Sequence, residues 1–241
     1  MKRAIVSVSG GMDSTGLLIH LLANDYKVTV ANFNYGSDQN SLEHERLQQN
    51  LKYLRDSGFD VDFVEMDLSA IMSKFYSSLT RKDIETPEGH YADENMKITV
   101  VPNRNAIFAS IIYGLALSQA KETGDNVSIC LGIHSGDHAI YPDCKPEFID
   151  AIYKAFAIGN WDSEKVDVYC PYINSDKFGI LKDTFENCQK LGLDFNIVEA
   201  NTVTCYKPNE KGESCGKCGS CTERLEAFEK LGIKDPVKYS L

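Results

Sequence analysis

Apolar positions along this chain alternate between two periods. Short, β-branched runs at Arg3 to Val8, Lys27 to Phe33, Val61 to Met66, Asn126 to Ile133 and Val166 to Tyr169 read as buried strands. Between them lie longer segments with an apolar residue every third or fourth place. Asp13 to Asn24 carries Leu17, Leu18, Leu21 and Leu22, and Asn40 to Ser57 is closed by Gly58 in a C-cap position. Asn105 to about Glu122, Pro146 to Ile158, and Ser175 to Leu191 follow, the last with Ser175 as N-cap and Asp176 in its first turn. Strand and helix in alternation predict a doubly wound α/β fold with a mainly parallel sheet. Ligands in such sheets gather outside the carboxyl ends of the strands, so the residues after Val8, Phe33 and Ile133 are expected to share one crevice. From Thr80 to Pro102 the periodicity dissolves into proline, glycine and acidic residues, the composition of a long active-site loop or lid. On this pattern residues 1–200 form an α/β domain and residues 201–241 a cysteine-rich segment packed on it.

Composition narrows the function classes. With 241 residues, 43% of them apolar and 25% charged, the chain can bury a sizeable core. A formal net charge of -10 opposes tight binding to a phosphate backbone, so a small-molecule substrate is expected and no direct nucleic-acid partner. Met1-Lys2-Arg3 and the apolar residues behind it have the look of a secretory signal, but glycines end the apolar run too soon. No other stretch is expected to approach membrane-spanning length, which leaves a cytoplasmic protein with no membrane partner.

Of eight cysteines, Cys130, Cys144, Cys170 and Cys188 are widely spaced, whereas Cys205, Cys215, Cys218 and Cys221 are clustered. Two successive C-x-x-C steps with a fourth thiol upstream can close a tetrahedral metal site, and Gly212, Gly216 and Gly219 let the chain bend around it. Zinc, an iron–sulfur cluster and a redox dithiol all fit the spacing.

Ser9-Gly10-Gly11-Met12-Asp13-Ser14-Thr15 directly follows the first strand. Glycines there let backbone N–H groups approach phosphate oxygens while the next helix presents its N-terminus. Ser9, Ser14 and Thr15 add hydroxyl donors, and Asp13 is placed to hold Mg2+. No lysine occupies the loop, so it is not of Walker type; a plain strand-to-helix turn capped by Asp13 or Ser14 is the simpler alternative. The S-G-G-x-D-S-T wording resembles the PP-loop of adenine-nucleotide α-hydrolases, which adenylate a substrate and release pyrophosphate.

Four further segments join it: Phe33-Asn34-Tyr35-Gly36, Ser77-Ser78-Leu79-Thr80-Arg81, Val101-Pro102-Asn103-Arg104-Asn105 and Tyr141-Pro142-Asp143-Cys144. With Thr204-Cys205-Tyr206 they give a chain that resembles the 7-cyano-7-deazaguanine synthase family over essentially its whole length. That resemblance implies a fold of PP-loop ATP pyrophosphatase type with a C-terminal zinc segment, and ATP, Mg2+ and Zn2+ as cofactors. It implies a carbon–nitrogen ligase that converts 7-carboxy-7-deazaguanine and ammonia to the nitrile through two ATP-dependent activations. A related ligase that stops at the amide, or transfers the activated deazaguanine to another amine, is the alternative. By the same resemblance Val8, Ser9, Gly10, Gly11, Met12, Asp13, Ser14 and Thr15 bind the nucleotide, and Cys205, Cys215, Cys218 and Cys221 hold zinc. Asp13, Ser14 and Arg104 are the catalytic candidates, Arg104 either countering phosphate charge or starting a helix. Asp137 and Asp143 either accept the N–H groups of the guanine edge or cap turns. Tyr35 and Tyr141, with Phe33, either stack on a ring or pack. The chain departs from the family's commoner wording at Ser37-Asp38 and Ala139-Ile140, and the family implies a homodimer.

Overall fold

In a computed structural model that describes residues 1–37, 39–81, 83–85, 94–136 and 141–240, with backbone alone at 94–96, all sheet pairing is parallel. The strands are β1 (Arg3–Ser7), β2 (Lys27–Asn34), β3 (Val61–Asp67), β4 (Val127–Cys130) and β5 (Val166–Tyr169), in the order β3-β2-β1-β4-β5. The chain steps outward from β1 to β3 and then returns to the other side of β1 as β4. The strand order therefore reverses between β1 and β4, where a crevice opens at the carboxyl ends. Ala4, Val6 and Val8 enter the core on one face of the sheet and Ile5 that on the other, which is why the central strand reads as an apolar run interrupted at Ser7 alone.

The helices are α1 (Met12–Ala23), α2 (Asn40–Asp56), α3 (Ser69–Met72), α4 (Arg104–Thr123), α5 (Pro146–Gly159), α6 (Lys177–Leu191), α7 (Phe195–Ala200) and α8 (Gly219–Leu231). One face of the sheet is covered by α1, α2, α6, α7 and α8, through Leu17, Leu47, Leu51, Ile180, Val198 and Phe228 among others. The other is covered by α4 and α5, through Ile112, Ala116, Ile149 and Tyr153. Phe228 of α8 thus shares a core with α1 and α6, so the C-terminal segment is packed into the main body.

Four expectations need correction. The strand placed at Asn126 to Ile133 stops at Cys130; Leu131 still donates its N–H to the Tyr169 carbonyl at 3.2 Å, and Leu131 to Ile133 line the crevice. The N-cap of α6 is Asp176, whose carboxylate accepts from the Gly179 N–H at 2.8 Å; Ser175 lies one residue too early. The helices α3, α7 and α8 have no counterpart in the periodicity, and α8 begins inside the cysteine segment and carries Cys221. Finally, Lys97–Thr123 is long and apolar enough to cross a membrane, with a mean hydropathy of 1.2. Its α4 part lays Ala109, Ile112, Tyr113, Ala116 and Ala120 in the core. Much of the segment read as a lid, 86–93, lies outside the described residues. Its flanks are tied together, Ser77 Oγ donating to the Thr99 carbonyl at 3.1 Å and the Ser78 N–H to the Ile98 carbonyl at 2.9 Å.

One close approach sets the position of α2. Gly10 has φ +104, and a Cβ there would lie 2.3 Å from the carbonyl oxygen of Glu43. Gly10→Ala combines overpacking against backbone with a left-handed conformation and should cost about 3 kcal/mol, lowering the melting temperature by about 6–12 °C. Gly58, at φ +91 with nothing within 4 Å of its Cβ position, is the control. Gly58→Ala should cost about 1 kcal/mol, and equal losses in the two melting curves would refute the contact argument.

Candidate active site

The strand-to-helix turn after β1 is shaped as an anion cradle. Val8 stays in the core and donates its N–H to the Ala31 carbonyl at 3.0 Å. Beyond it, Ser9 Oγ accepts the Gly11 N–H at 3.1 Å, and Ser14 Oγ accepts the Ser9 N–H at 3.3 Å, closing the loop on itself. Gly11 is the N-cap of α1 in extended conformation and offers no capping side chain, so the first N–H groups of the helix remain available to a ligand. Ser9, Gly11, Asp13 and Ser14 line a cavity of about 300 Å³ that opens to solvent. Gly10, Met12 and Thr15 do not line it; Met12 is fully buried in the core and Thr15 is buried.

Asp13 is held by one cation and one histidine N–H. Lys177, at the start of α6 and 9% exposed, places Nζ 3.0 Å from Asp13 Oδ2, and His134 Nε2 lies 3.7 Å from the same oxygen. The Gly136 N–H donates to His134 Nδ1 at 3.1 Å, so the ring proton sits on Nε2, facing Asp13. Burial works to raise the Asp13 pKa, but the Lys177 charge and the His134 hydrogen bond outweigh it and hold the carboxyl well below the usual range. Asp13 Oδ1 is buried with no hydrogen-bond partner among the described residues.

Across the cavity stands a second charged group. Asn103 adopts φ 59, a left-handed conformation that asparagine tolerates, and so turns the chain from Pro102 into α4 with Arg104 aimed at the cavity. The Arg104 guanidinium lies over the Tyr35 ring at 5.4 Å. Tyr141 lines the same wall, its hydroxyl 3.2 Å from Thr99 Oγ1. Glu43, in the first turn of α2 and 7% exposed, completes the group. Burial pushes its carboxyl up to about 7 against the opposing pull of Arg104, and Oε2 has no partner among the described residues.

The four clustered cysteines form a metal-competent centre. Their sulfurs lie within 4.8 Å of one another, and Cys215 and Cys221 are 3.9 Å apart. Ligands about 2.3 Å from a tetrahedral ion would be about 3.8 Å apart. Cys205 Sγ accepts the N–H groups of Lys207 at 3.3 Å and Cys215 at 3.2 Å, and Cys215 Sγ that of Cys218 at 3.4 Å, contacts that stabilise thiolate over thiol. Hydrogen bonds from Cys205 and Cys221 pull the Cys218 thiol below its usual pKa, and their contacts with Cys218 push the Cys205 and Cys221 thiols up. The centre is tied to the cavity twice: Tyr206, next to Cys205, lines it, and the Val203 N–H donates to the Gly10 carbonyl at 2.9 Å. Behind it Arg224, 1% exposed, pairs with Asp235 at 2.7 Å and Glu199 at 3.4 Å and donates to Thr202 at 2.6 Å.

The structure therefore brings Ser9, Gly11, Asp13, Ser14, Tyr35, Arg104 and Tyr141 to one cavity. Asp143 stands beside it, close enough to Arg104 to raise that group's pKa, with Oδ1 buried and unpartnered among the described residues. Phe33 stacks on Phe108 at 4.0 Å and is core. Ser37 makes a local turn, its N–H and hydroxyl both donating to Asn40 Oδ1. Asp137, Asp38, Ala139 and Ile140 lie outside the described residues. Glu43, Lys177 and His134 are absent from the sequence-based set. Glu43 precedes Leu47, Leu51 and Leu54 at helical spacing, and Lys177 precedes Ile180, Leu181 and Thr184. A charged residue on a buried stripe was the available signal.

A family model described as "Queuosine biosynthesis protein QueC" matches residues 3–232. The chain is 42% identical to 7-cyano-7-deazaguanine synthase 2 of Colwellia psychrerythraea, with 100% of each chain covered. It is 42% identical to 7-cyano-7-deazaguanine synthase of a Marinomonas species, over 99% of this chain and 98% of the relative. With the same-named protein of Methanoregula boonei it shares 41% identity over 98% and 99%.

Glu43 has a consequence for stability. Its folded pKa, about 7, lies above the ordinary 4.5, so its contribution is fully present below pH 4.5 and is lost as pH rises through 7. Glu43→Gln cannot ionise and should be more stable than the wild type at pH 8 by on the order of 3 kcal/mol, seen as a higher melting temperature, an advantage that shrinks towards pH 5. Parallel melting temperatures of the two proteins across that range would contradict the burial argument.

Proposed function

Because the chain belongs to the QueC family of queuosine biosynthesis proteins, we propose that it makes 7-cyano-7-deazaguanine from 7-carboxy-7-deazaguanine and ammonia, splitting ATP to AMP and pyrophosphate at each of two activations. The observation that carries the reading is a single cavity in which the anion cradle of Ser9, Gly11 and Ser14 faces Arg104, Tyr35 and Tyr141. A nucleotide and a flat heterocycle have to meet in such a space for one to adenylate the other.

A carboxylate is a poor electrophile because charge and resonance protect its carbon. Joining one oxygen to AMP turns it into a leaving group, ammonia then yields the amide, and a second adenylation, on the amide oxygen, lets AMP depart as the nitrile forms. The task for the side chains is positioning and charge stabilisation. Ser9, Ser14 and the first N–H groups of α1 would hold the phosphates. Asp13 Oδ1, unpartnered among the described residues, fits Mg2+, which when bound neutralises phosphate charge. Lys177 keeps Asp13 ionised, and Arg104 would counter the charge that grows on the departing AMP. Tyr35 and Tyr141 would form walls for the heterocycle, and Asp143 Oδ1, unpartnered among the described residues, is suited to accept a guanine-edge N–H. Cys205, Cys215, Cys218 and Cys221 would hold Zn2+ with no open position, in a structural role. The reading extends to a cytoplasmic homodimer, for which sedimentation velocity is the check.

With ATP, Mg2+, ammonia and the carboxylate, the expected product by mass spectrometry is the nitrile; an amide that persists identifies the shorter reaction. Asp13→Asn should slow pyrophosphate release by about 10²-fold or more while circular dichroism stays unchanged, and near-normal release would remove the metal-holding role. Metal analysis should find zinc in the wild type, and Cys218→Ser should lose metal and melting temperature together; full occupancy in that variant would exclude Cys218 as a ligand.

A further inference from the structure

One buried acid in the cavity has no part in holding the phosphates or the metal. Glu43 sits in the first turn of α2, pressed against the phosphate loop where Gly10 leaves room for nothing larger. It lines the cavity that holds Ser9 and Asp13, and its Oε2 is buried without a hydrogen-bond partner among the described residues. The groups that face it are Arg104 from α4 and Tyr35 from the end of β2, with Gln39 bonded to it from its own element. Such a carboxylate is costly unless it handles a proton.

We propose that Glu43 is a catalytic base that takes the protons released from the substrate nitrogen, in both halves of the reaction. In the first half the nitrogen of ammonia forms a bond to the carbonyl carbon of the adenylate. An N–H bond of that adduct then breaks, its proton passing to the Glu43 carboxylate, while the C–O bond to AMP breaks and its electron pair leaves with AMP. In the second half the amide oxygen is adenylated, and one nitrogen proton passes to the Glu43 carboxylate and from it to water at the cavity mouth. The remaining N–H bond then breaks towards Glu43, its electron pair becomes the second π bond of the nitrile, and the C–O bond breaks with its pair on AMP. Between halves the protonated carboxyl returns its proton to water at the cavity mouth. Amide dehydration thus releases two protons, one AMP and one pyrophosphate for each ATP, and no oxidant or reductant is needed. A carboxyl raised to about 7 is matched to this duty near neutral pH.

The inference rests on the ligase reading, and the test separates the two. Forming the adenylate breaks no N–H bond, so exchange of labelled pyrophosphate into ATP, dependent on the carboxylate substrate, reads activation alone. Glu43→Gln should keep that exchange and the KM for the carboxylate within about 3-fold, while the rate of nitrile formation falls by about 10²-fold or more and loses its acid limb near pH 7. Glu43→Asp keeps the base on a shorter arm and should show the same split, more weakly, which covers the case in which the glutamine variant folds poorly. Nitrile formation at the wild-type rate in Glu43→Gln overturns the proposal, as does equal loss of exchange and product in a folded variant, which would make Glu43 a binding group. A wild type without carboxylate-dependent exchange overturns the ligase reading and this role with it.

Discussion

Everything in the cavity depends on how closely the chain can pass at Gly10. Its φ of +104 bends the strand into the phosphate turn, and its missing side chain lets the Glu43 carbonyl approach within 2.3 Å of where a Cβ would be. Its own carbonyl receives the Val203 N–H at 2.9 Å. Three stretches far apart in the chain are thereby fixed at one residue: the turn between β1 and α1, the helix that supplies Glu43 and the lead into the cysteine centre. A larger residue would displace all three together.

Around that point two carboxyl groups are shifted in opposite directions. Asp13 and Glu43 line the same cavity, and burial raises the pKa of both. Asp13 has Lys177 at 3.0 Å and a proton-bearing His134 nitrogen at 3.7 Å, enough to keep it ionised. Glu43 has the attraction of Arg104, and burial outweighs it. Two acids on one cavity, driven apart by their neighbours, are the arrangement by which a site keeps one permanent charge and one movable proton.

How much of this was legible in the sequence follows from what each feature needs. The five strands and the long helices were legible because each carries its own apolar period, and the phosphate turn because glycine, serine and aspartate there are local requirements. Single-turn α3 and short α7 are too brief to show a period, and α8 was hidden because Cys221 and Arg224 occupy its buried stripe. Lys177 lies 164 residues from Asp13, and only the packing of α6 on α1 brings them together. Glu43 and Lys177 were both visible as charges on apolar stripes, but a stripe tells that a residue is buried and not what it meets.

Arg224 shows why the cysteine segment has to dock in one arrangement. Its guanidinium is 1% exposed and is shared between Asp235, Glu199 and Thr202, while Tyr239 donates to Asp235 at 2.6 Å. A buried cation with two buried acids is stable only when the set is complete, since removing one partner strands a charge out of water. Thr202 precedes Val203, whose N–H holds Gly10, and Arg224 follows Cys221 by one helical turn. The same network therefore reads the seating of α8 on one side and the position of the phosphate loop on the other. Four thiolates around an ion would fix the start of α8, and the network behind them leaves little freedom for the loop to shift without breaking a buried ion pair. A metal held by all four cysteines would have no open coordination position and would act on the chemistry through geometry alone.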